Sequence, residues 1–113
     1  MSSITTHVLD VSIGRPATGV FIMLEHLDED HWNTIGRGET DEDGRLRTLV
    51  PEGTQLSAGT YRLTFDTGSY FLASGTQSFF PSVMVTFQLL EGARNHHVPL
   101  LVSPFGYSTY LGS

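Results

Sequence analysis

Apolar and polar positions alternate along much of this chain with a period of two, the spacing of a strand that buries one face and wets the other. Tyr61, Leu63 and Phe65 alternate with Thr60, Arg62 and Thr64, and Val83, Val85, Phe87 and Leu89 alternate with Met84, Thr86 and Gln88. Both stretches are predicted as half-buried strands. Ile4 to Val11 reads as the first strand, followed by a turn at Gly14-Arg15-Pro16. Val20 to Leu27 is apolar on both faces at its start, as an interior strand is. Across the polar Asp28-Glu29-Asp30 tip it pairs with Trp32 to Gly38 in a hairpin. Thr40 to Gly44 makes another turn, leading into a short strand from Leu46 to Val50.

Nearer the C-terminus, Val98, Leu100 and Val102 form one face of a strand, and His97, Pro99 and Leu101 form the other. The adjacent His96 and His97 therefore point to opposite faces and cannot share one ligand. After a turn at Pro104 to Gly106, a closing strand from Tyr107 to Leu111 puts Ser108 and Tyr110 on one face and Leu111 on the other. One segment breaks the strand pattern. Asp66 or Thr67 can cap a short helix through Tyr70, Phe71 and Leu72, stopped by Gly75 and kept from continuing by Pro81. With 12 glycines and 5 prolines punctuating these runs, the expectation is an all-β sandwich of about eight strands with one short helix.

The bulk numbers narrow the function. A chain of 113 residues fits one domain, 1–113, with no room for a second. A net charge of -6 disfavours nucleic acid, whose phosphates need clustered Lys and Arg, and disfavours an anionic membrane surface. No cysteine is present, which excludes a disulfide framework, a thiol nucleophile and a thiolate metal site. No apolar run approaches the ~20 residues of a membrane span, and Met1-Ser2-Ser3 lacks the basic residues of a leader, so the cytoplasm is the expected compartment.

Several chemistries drop out. There is no Gly-x-Ser-x-Gly elbow and no phosphate-binding glycine loop. Asp41-Glu42-Asp43-Gly44 lacks the ligand series and closing glutamate of a calcium loop and reads as a turn. The split His96-His97 pair has no third metal ligand at strand or helix spacing nearby. His26 and His31 flank an acidic hairpin tip and read as surface residues. What remains is a histidine beside hydroxyls on a sheet face, an arrangement suited to proton transfer. Taken singly, His7 reads as a strand histidine and Arg45 as a solvated charge after an Asp-Gly turn.

Three separated motifs give these residues a role. Ile4-Thr5-Thr6-His7-Val8-Leu9-Asp10 with Gly14-Arg15-Pro16-Ala17 resembles the opening of the transthyretin-related 5-hydroxyisourate hydrolase family. Asp43-Gly44-Arg45-Leu46 resembles its second block. His97-Val98-Pro99-Leu100-Leu101 through Ser103-Pro104-Phe105-Gly106-Tyr107-Ser108-Thr109-Tyr110 to Gly112-Ser113 is similar to its closing signature. The resemblance runs in order along essentially the whole chain. It implies a transthyretin-like β-sandwich of two four-stranded sheets, assembled as a homotetramer, a dimer of dimers around a central channel. It further implies ring-opening hydrolysis of the small molecule 5-hydroxyisourate to 2-oxo-4-hydroxy-4-carboxy-5-ureidoimidazoline in urate degradation, with no metal and no organic cofactor.

The site residues implied are His7, Arg45, His97, Tyr110 and Ser113. His7 and His97 would form the proton-transfer pair, Arg45 would clamp substrate oxygens, and Tyr110 and Ser113 would hold the ring or the water. His26, His31 and His96 receive no role. One departure stands out: the family has arginine between the final tyrosine and Gly-Ser, where this chain has Leu111. Two other functions compete. Hormone-carrying relatives have lysine, glutamate and threonine where this chain has His7, Arg45 and His97, and a small residue where Tyr110 stands. Composition alone would also permit a non-catalytic interaction module.

Overall fold

The computed structural model describes residues 2–92 and 94–113. Its strands are β1 (Ser3–Asp10), β2 (Arg15–Pro16), β3 (Phe21–Asp28), β4 (His31–Glu39), β5 (Gly59–Phe65), β6 (Val83–Leu89), β7 (Asn95–Ser103) and β8 (Gly106–Thr109), with one helix, α1 (Thr67–Ala73). They form two four-stranded sheets in the orders β2-β1-β7-β8 and β4-β3-β5-β6. The expected sandwich of two such sheets with one short helix is what the chain adopts.

Period-two alternation fills the space between the sheets. Ile4 and Val8 of β1 and Val98, Leu100 and Val102 of β7 point inward to meet Ile22, Leu24, Tyr61, Leu63, Phe65 and Val83 from the other sheet. All pairings are antiparallel except β1 with β7, which is parallel and sets Ser3 beside Asn95 and Asp10 beside Val102. That one parallel pairing joins the two distant ends of the sequence. Thr6, turned into the core, satisfies its hydroxyl on the Val98 carbonyl at 2.6 Å.

The helix ties the sheets together. Asp66 caps it by accepting from the Ser69 amide at 3.1 Å, and Gly75, at φ 69°, lets the chain leave its end. Phe71 enters the core, while the Tyr70 hydroxyl donates to Asp10 Oδ2 at 2.8 Å. Asp10 is 3% exposed at the end of β1, and its other oxygen accepts from the Ser12 amide and hydroxyl. Burial, and then the bond to Asp10, push the Tyr70 phenol up to about 12 from its ordinary 10.0. A raised value means that the neutral phenol's contribution is complete below pH 10 and is lost as pH rises through 10 toward 12. Tyr70→Phe should lower stability by about 1.5–3 kcal/mol, the range for a bond to a charged group. Denaturant midpoints at neutral pH and at pH near the shifted value check this: the gap between the two proteins should narrow in alkali.

Four local expectations are corrected. Leu46 to Val50 is a turn, with the Leu49 amide on the Leu46 carbonyl at 3.2 Å, and not a strand. Leu49 is fully buried and Leu46 packs on the core, so these side chains plug the sandwich singly without a neighbour to pair with. Arg15–Pro16, read as a turn, forms the edge strand β2, where proline's missing amide costs no ladder bond. The closing strand stops at Thr109 and does not reach Leu111, so the alternation that set Tyr110 and Leu111 on opposite faces ends before them. His26 is also less superficial than expected: it is half-buried and stacks on Tyr61 with ring centroids 4.4 Å apart.

Candidate active site

The polar site grows on the outer face of the β1–β7 pair. Inward positions on β1 are Ile4, Thr6, Val8 and Asp10, so Thr5 and His7 must face outward. On β7 the inward run of His96, Val98, Leu100 and Val102 turns His97 outward. The parallel register sets Thr5 across from His97 and His7 across from Pro99. The two histidines therefore stand one step apart on neighbouring strands of one face.

Arg45 reaches this face through the Asp41–Gly44 turn. The Gly44 carbonyl accepts from the Val8 amide at 2.8 Å, and Arg45 makes an antiparallel bridge with His7. Only glycine fits at position 44: φ is 75°, and an added Cβ would run into the Val8 carbonyl and come within 3.3 Å of His7 Cδ2. Asp41 shapes the turn. Its Oδ1 accepts from the amides of Asp43 at 2.9 Å and Arg45 at 3.1 Å, and Arg47 Nε lies 3.5 Å from Oδ2. The bond from the Arg45 amide is the main reason that the Asp41 carboxyl titrates below its ordinary 3.8. Its hold on the turn is therefore present above that value and lost as pH falls through the lower folded one.

The C-terminal segment closes on His97 from the other side. The Gly112 amide donates to the His97 carbonyl at 2.7 Å, and a Cβ on Gly112 would come 2.8 Å from His97 Cδ2. Ser113 follows directly and is exposed. His97 itself is half-buried, and its Nδ1 lies 2.8 Å from the Thr5 hydroxyl. Burial, then the charge of Arg45, then His7, lower the His97 imidazole from its ordinary 6.5, while a backbone hydrogen bond to Thr5 pulls the other way. A lowered imidazole favours the neutral form more than an ordinary histidine does, the form that can accept a proton.

The fold thus brings His7, Arg45 and His97 together and carries Ser113 next to the residue that pairs with His97. Tyr110 is placed differently. With Leu111 it borders an apolar pocket of about 240 Å³ at the open edge between the sheets, lined also by Val85, Phe87 and His96. His96 is 3% exposed there, its Nε2 accepting from the Leu90 amide at 3.4 Å. The recess lined by Arg45 with Thr5, Thr6, Leu46 and Arg47 shares no residue with that pocket. Among the described residues no three His, Asp or Glu side chains gather as a metal site would require. Sequence reasoning passed over Thr5, Gly44 and Gly112. Thr5 was within its reach, because residues two apart on a strand share a face and Thr5 precedes His7 by two.

The model of the HIUase/Transthyretin family matches residues 4–112 of this chain. The chain belongs to that family. The 5-hydroxyisourate hydrolase of Salmonella dublin is 42% identical over 110 residues, covering 97% of this chain and 80% of the relative. Among solved structures, the Klebsiella pneumoniae 5-hydroxyisourate hydrolase superposes with a TM-score of 0.83 at 36% identity, over 100% of this chain and 94% of that one. Transthyretin from Sparus aurata superposes with a TM-score of 0.89 at 33% identity, over 96% of this chain and 95% of that one. Backbone similarity thus does not separate the hydrolase from transthyretin, so side chains must.

Proposed function

We propose that this protein hydrolyses 5-hydroxyisourate to 2-oxo-4-hydroxy-4-carboxy-5-ureidoimidazoline in urate degradation. The observation that carries the reading is the convergence of His7, Arg45 and His97 on one outer sheet face. In the reaction, water adds to an acyl-type ring carbon: a C–O bond forms, the C–N bond to a ring nitrogen breaks, and one proton passes from water to that nitrogen. His97, its imidazole biased toward the neutral form, takes the proton from water and passes it by way of His7 to the leaving nitrogen. Arg45 offers a planar fork of N–H donors to the oxygens that gain charge. Ser113 completes the proposal as a hydrogen-bonding partner of the water or the ring, whereas Tyr110, which lines the separate apolar pocket within its own chain, would join the site only from another copy of the homotetramer. General acid–base assistance is worth ~10²–10⁴-fold, with positioning and electrostatics supplying the rest.

The test is direct. 5-Hydroxyisourate is generated from urate in a cuvette, and its ultraviolet decay is followed with and without the protein. Acceleration supports the hydrolase. An unchanged decay together with binding of an aromatic hormone supports a transthyretin-like carrier instead.

The His97 titration adds a second expected result. Because its imidazole is lowered from 6.5, the acid limb of kcat/KM should fall below that value. In Arg45→Ala the His97 titration followed by NMR should move upward, since the cation disfavouring imidazolium has gone. An acid limb at or above the ordinary value argues against His97 as the base. The same group makes folding stability complete above 6.5 and weaker as pH falls from there toward its lower folded value.

A homotetramer, a dimer of dimers, is part of the proposal. Strands β6 and β8 end their sheets with open edges, and Met84, Tyr107 and Phe105 on or beside them are exposed. An uncharged open edge invites pairing with another copy. Light scattering at micromolar concentration checks it, and a monomer there counts against a central channel.

A further inference from the structure

We propose that Thr5 is a positioning residue of this site: its hydroxyl accepts from Nδ1–H of His97 and so fixes the tautomer whose bare Nε2 takes the proton from water. The inference rests on the hydrolase reading above. Its geometry comes from the parallel register, which places Thr5 directly across from His97 on the outer face, with Oγ1 2.8 Å from Nδ1.

A hydroxyl carries one proton, so the direction of this bond depends on where that proton goes. Asn95 Oδ1 lies 3.3 Å from Thr5 Oγ1 and also accepts from the Ser3 hydroxyl at 2.7 Å. With its proton directed to Asn95, Thr5 keeps a lone pair for His97. Thr5 Oγ1 thus offers His97 an acceptor, and a neutral imidazole that donates at Nδ1 is bare at Nε2.

The arrangement also acts during turnover. When Nε2 gains its proton the ring becomes a cation, and the bond from Nδ1–H to Thr5 becomes charge-assisted and stronger. An interaction that strengthens along the reaction raises kcat and leaves substrate binding alone. The Ser3, Asn95 and Thr5 hydrogen bonds are a chain of support behind His97, running along the same strand pair that carries both histidines.

The experiment compares the full-length wild-type protein with Thr5→Val and Thr5→Ser. Thr5→Val keeps the shape and removes the acceptor. Its kcat should fall about 10–100-fold, the loss expected for one hydrogen bond to a group that becomes charged, with KM within about twofold. Its acid limb should move to lower pH, because the imidazolium has lost a partner. Thr5→Ser restores the hydroxyl and should recover most of the rate and the limb. Nitrogen NMR of His97 reads the tautomer itself: Nδ1–H should dominate in the wild type and give way in Thr5→Val.

A wild-type His97 protonated at Nε2, or a Thr5→Val enzyme with unaltered kcat and pH profile, overturns the inference. If the wild type fails to accelerate decay, the hydrolase reading fails by itself, while the NMR arm still decides the tautomer. If Thr5→Val does not fold, the wild-type tautomer and the Thr5→Ser profile decide it.

Discussion

His97→Ala should lower kcat/KM for 5-hydroxyisourate by about 10²–10⁴-fold, the range for loss of a positioned acid–base group. The ring is outward and half-buried, so its removal opens no cavity in the core. The backbone of β7 keeps its register with β1, and the Gly112 amide still has the carbonyl of residue 97 to donate to. A folded protein with a slow reaction is therefore expected, and a thermal melt beside the ultraviolet assay separates the two effects. The double variant with His7→Ala should cost far less than the product of the single losses, because two groups that pass one proton between them fail together. Turnover unchanged in His97→Ala would exclude the proposed base.

Arg62→Ala should cost about 3–5 kcal/mol of stability, the cost of leaving a buried charge without its partner. Glu25 is 7% exposed where the β3–β4 register slips between Leu24 and Glu25, and that slip accompanies burial of both neighbours. Directly across on β5, Arg62 Nε donates to Glu25 Oε1 at 2.7 Å, and its guanidinium lies 4.1 Å from the centre of the Trp32 ring. Removing Arg62 loses the ion pair and the cation–π contact and strands the carboxylate. Replacing both members by apolar residues of similar volume should cost far less. Denaturant midpoints of the two variants test the contrast. Because this pair sits in the sheet opposite His97, kcat per folded molecule should hardly move.

The parts of the fold that sequence exposes are those with one wet face. Tyr61, Leu63 and Phe65 against Thr60, Arg62 and Thr64 leave no doubt about period, and the same holds for Val83 to Leu89. Leu46 to Val50 misleads because its apolar residues bury one at a time inside a turn, and composition does not distinguish plugging from pairing. β2 is two residues long and offers no period at all. Alternation also says which face a residue takes, never which strand lies beside it, so the parallel contact of β1 with β7 was not legible. His7, Arg45 and His97 were picked out by family resemblance, and nothing in their local spacing shows that they meet. Gly112 is illegible for another reason: its contact with the His97 ring depends on the path of the chain after Thr109, where regular pairing has ended.

The parallel seam between β1 and β7 has a consequence for when this protein becomes competent during its synthesis. His7 leaves the ribosome ahead of β2 to β6 and α1, and every one of those elements is made before β7, the strand that supplies its neighbour. Docking of β7 has to close a loop across nearly the whole sequence, a slow step among those that build a small domain. The proposed pairing of His7 with His97 therefore forms only once β7 has docked against β1.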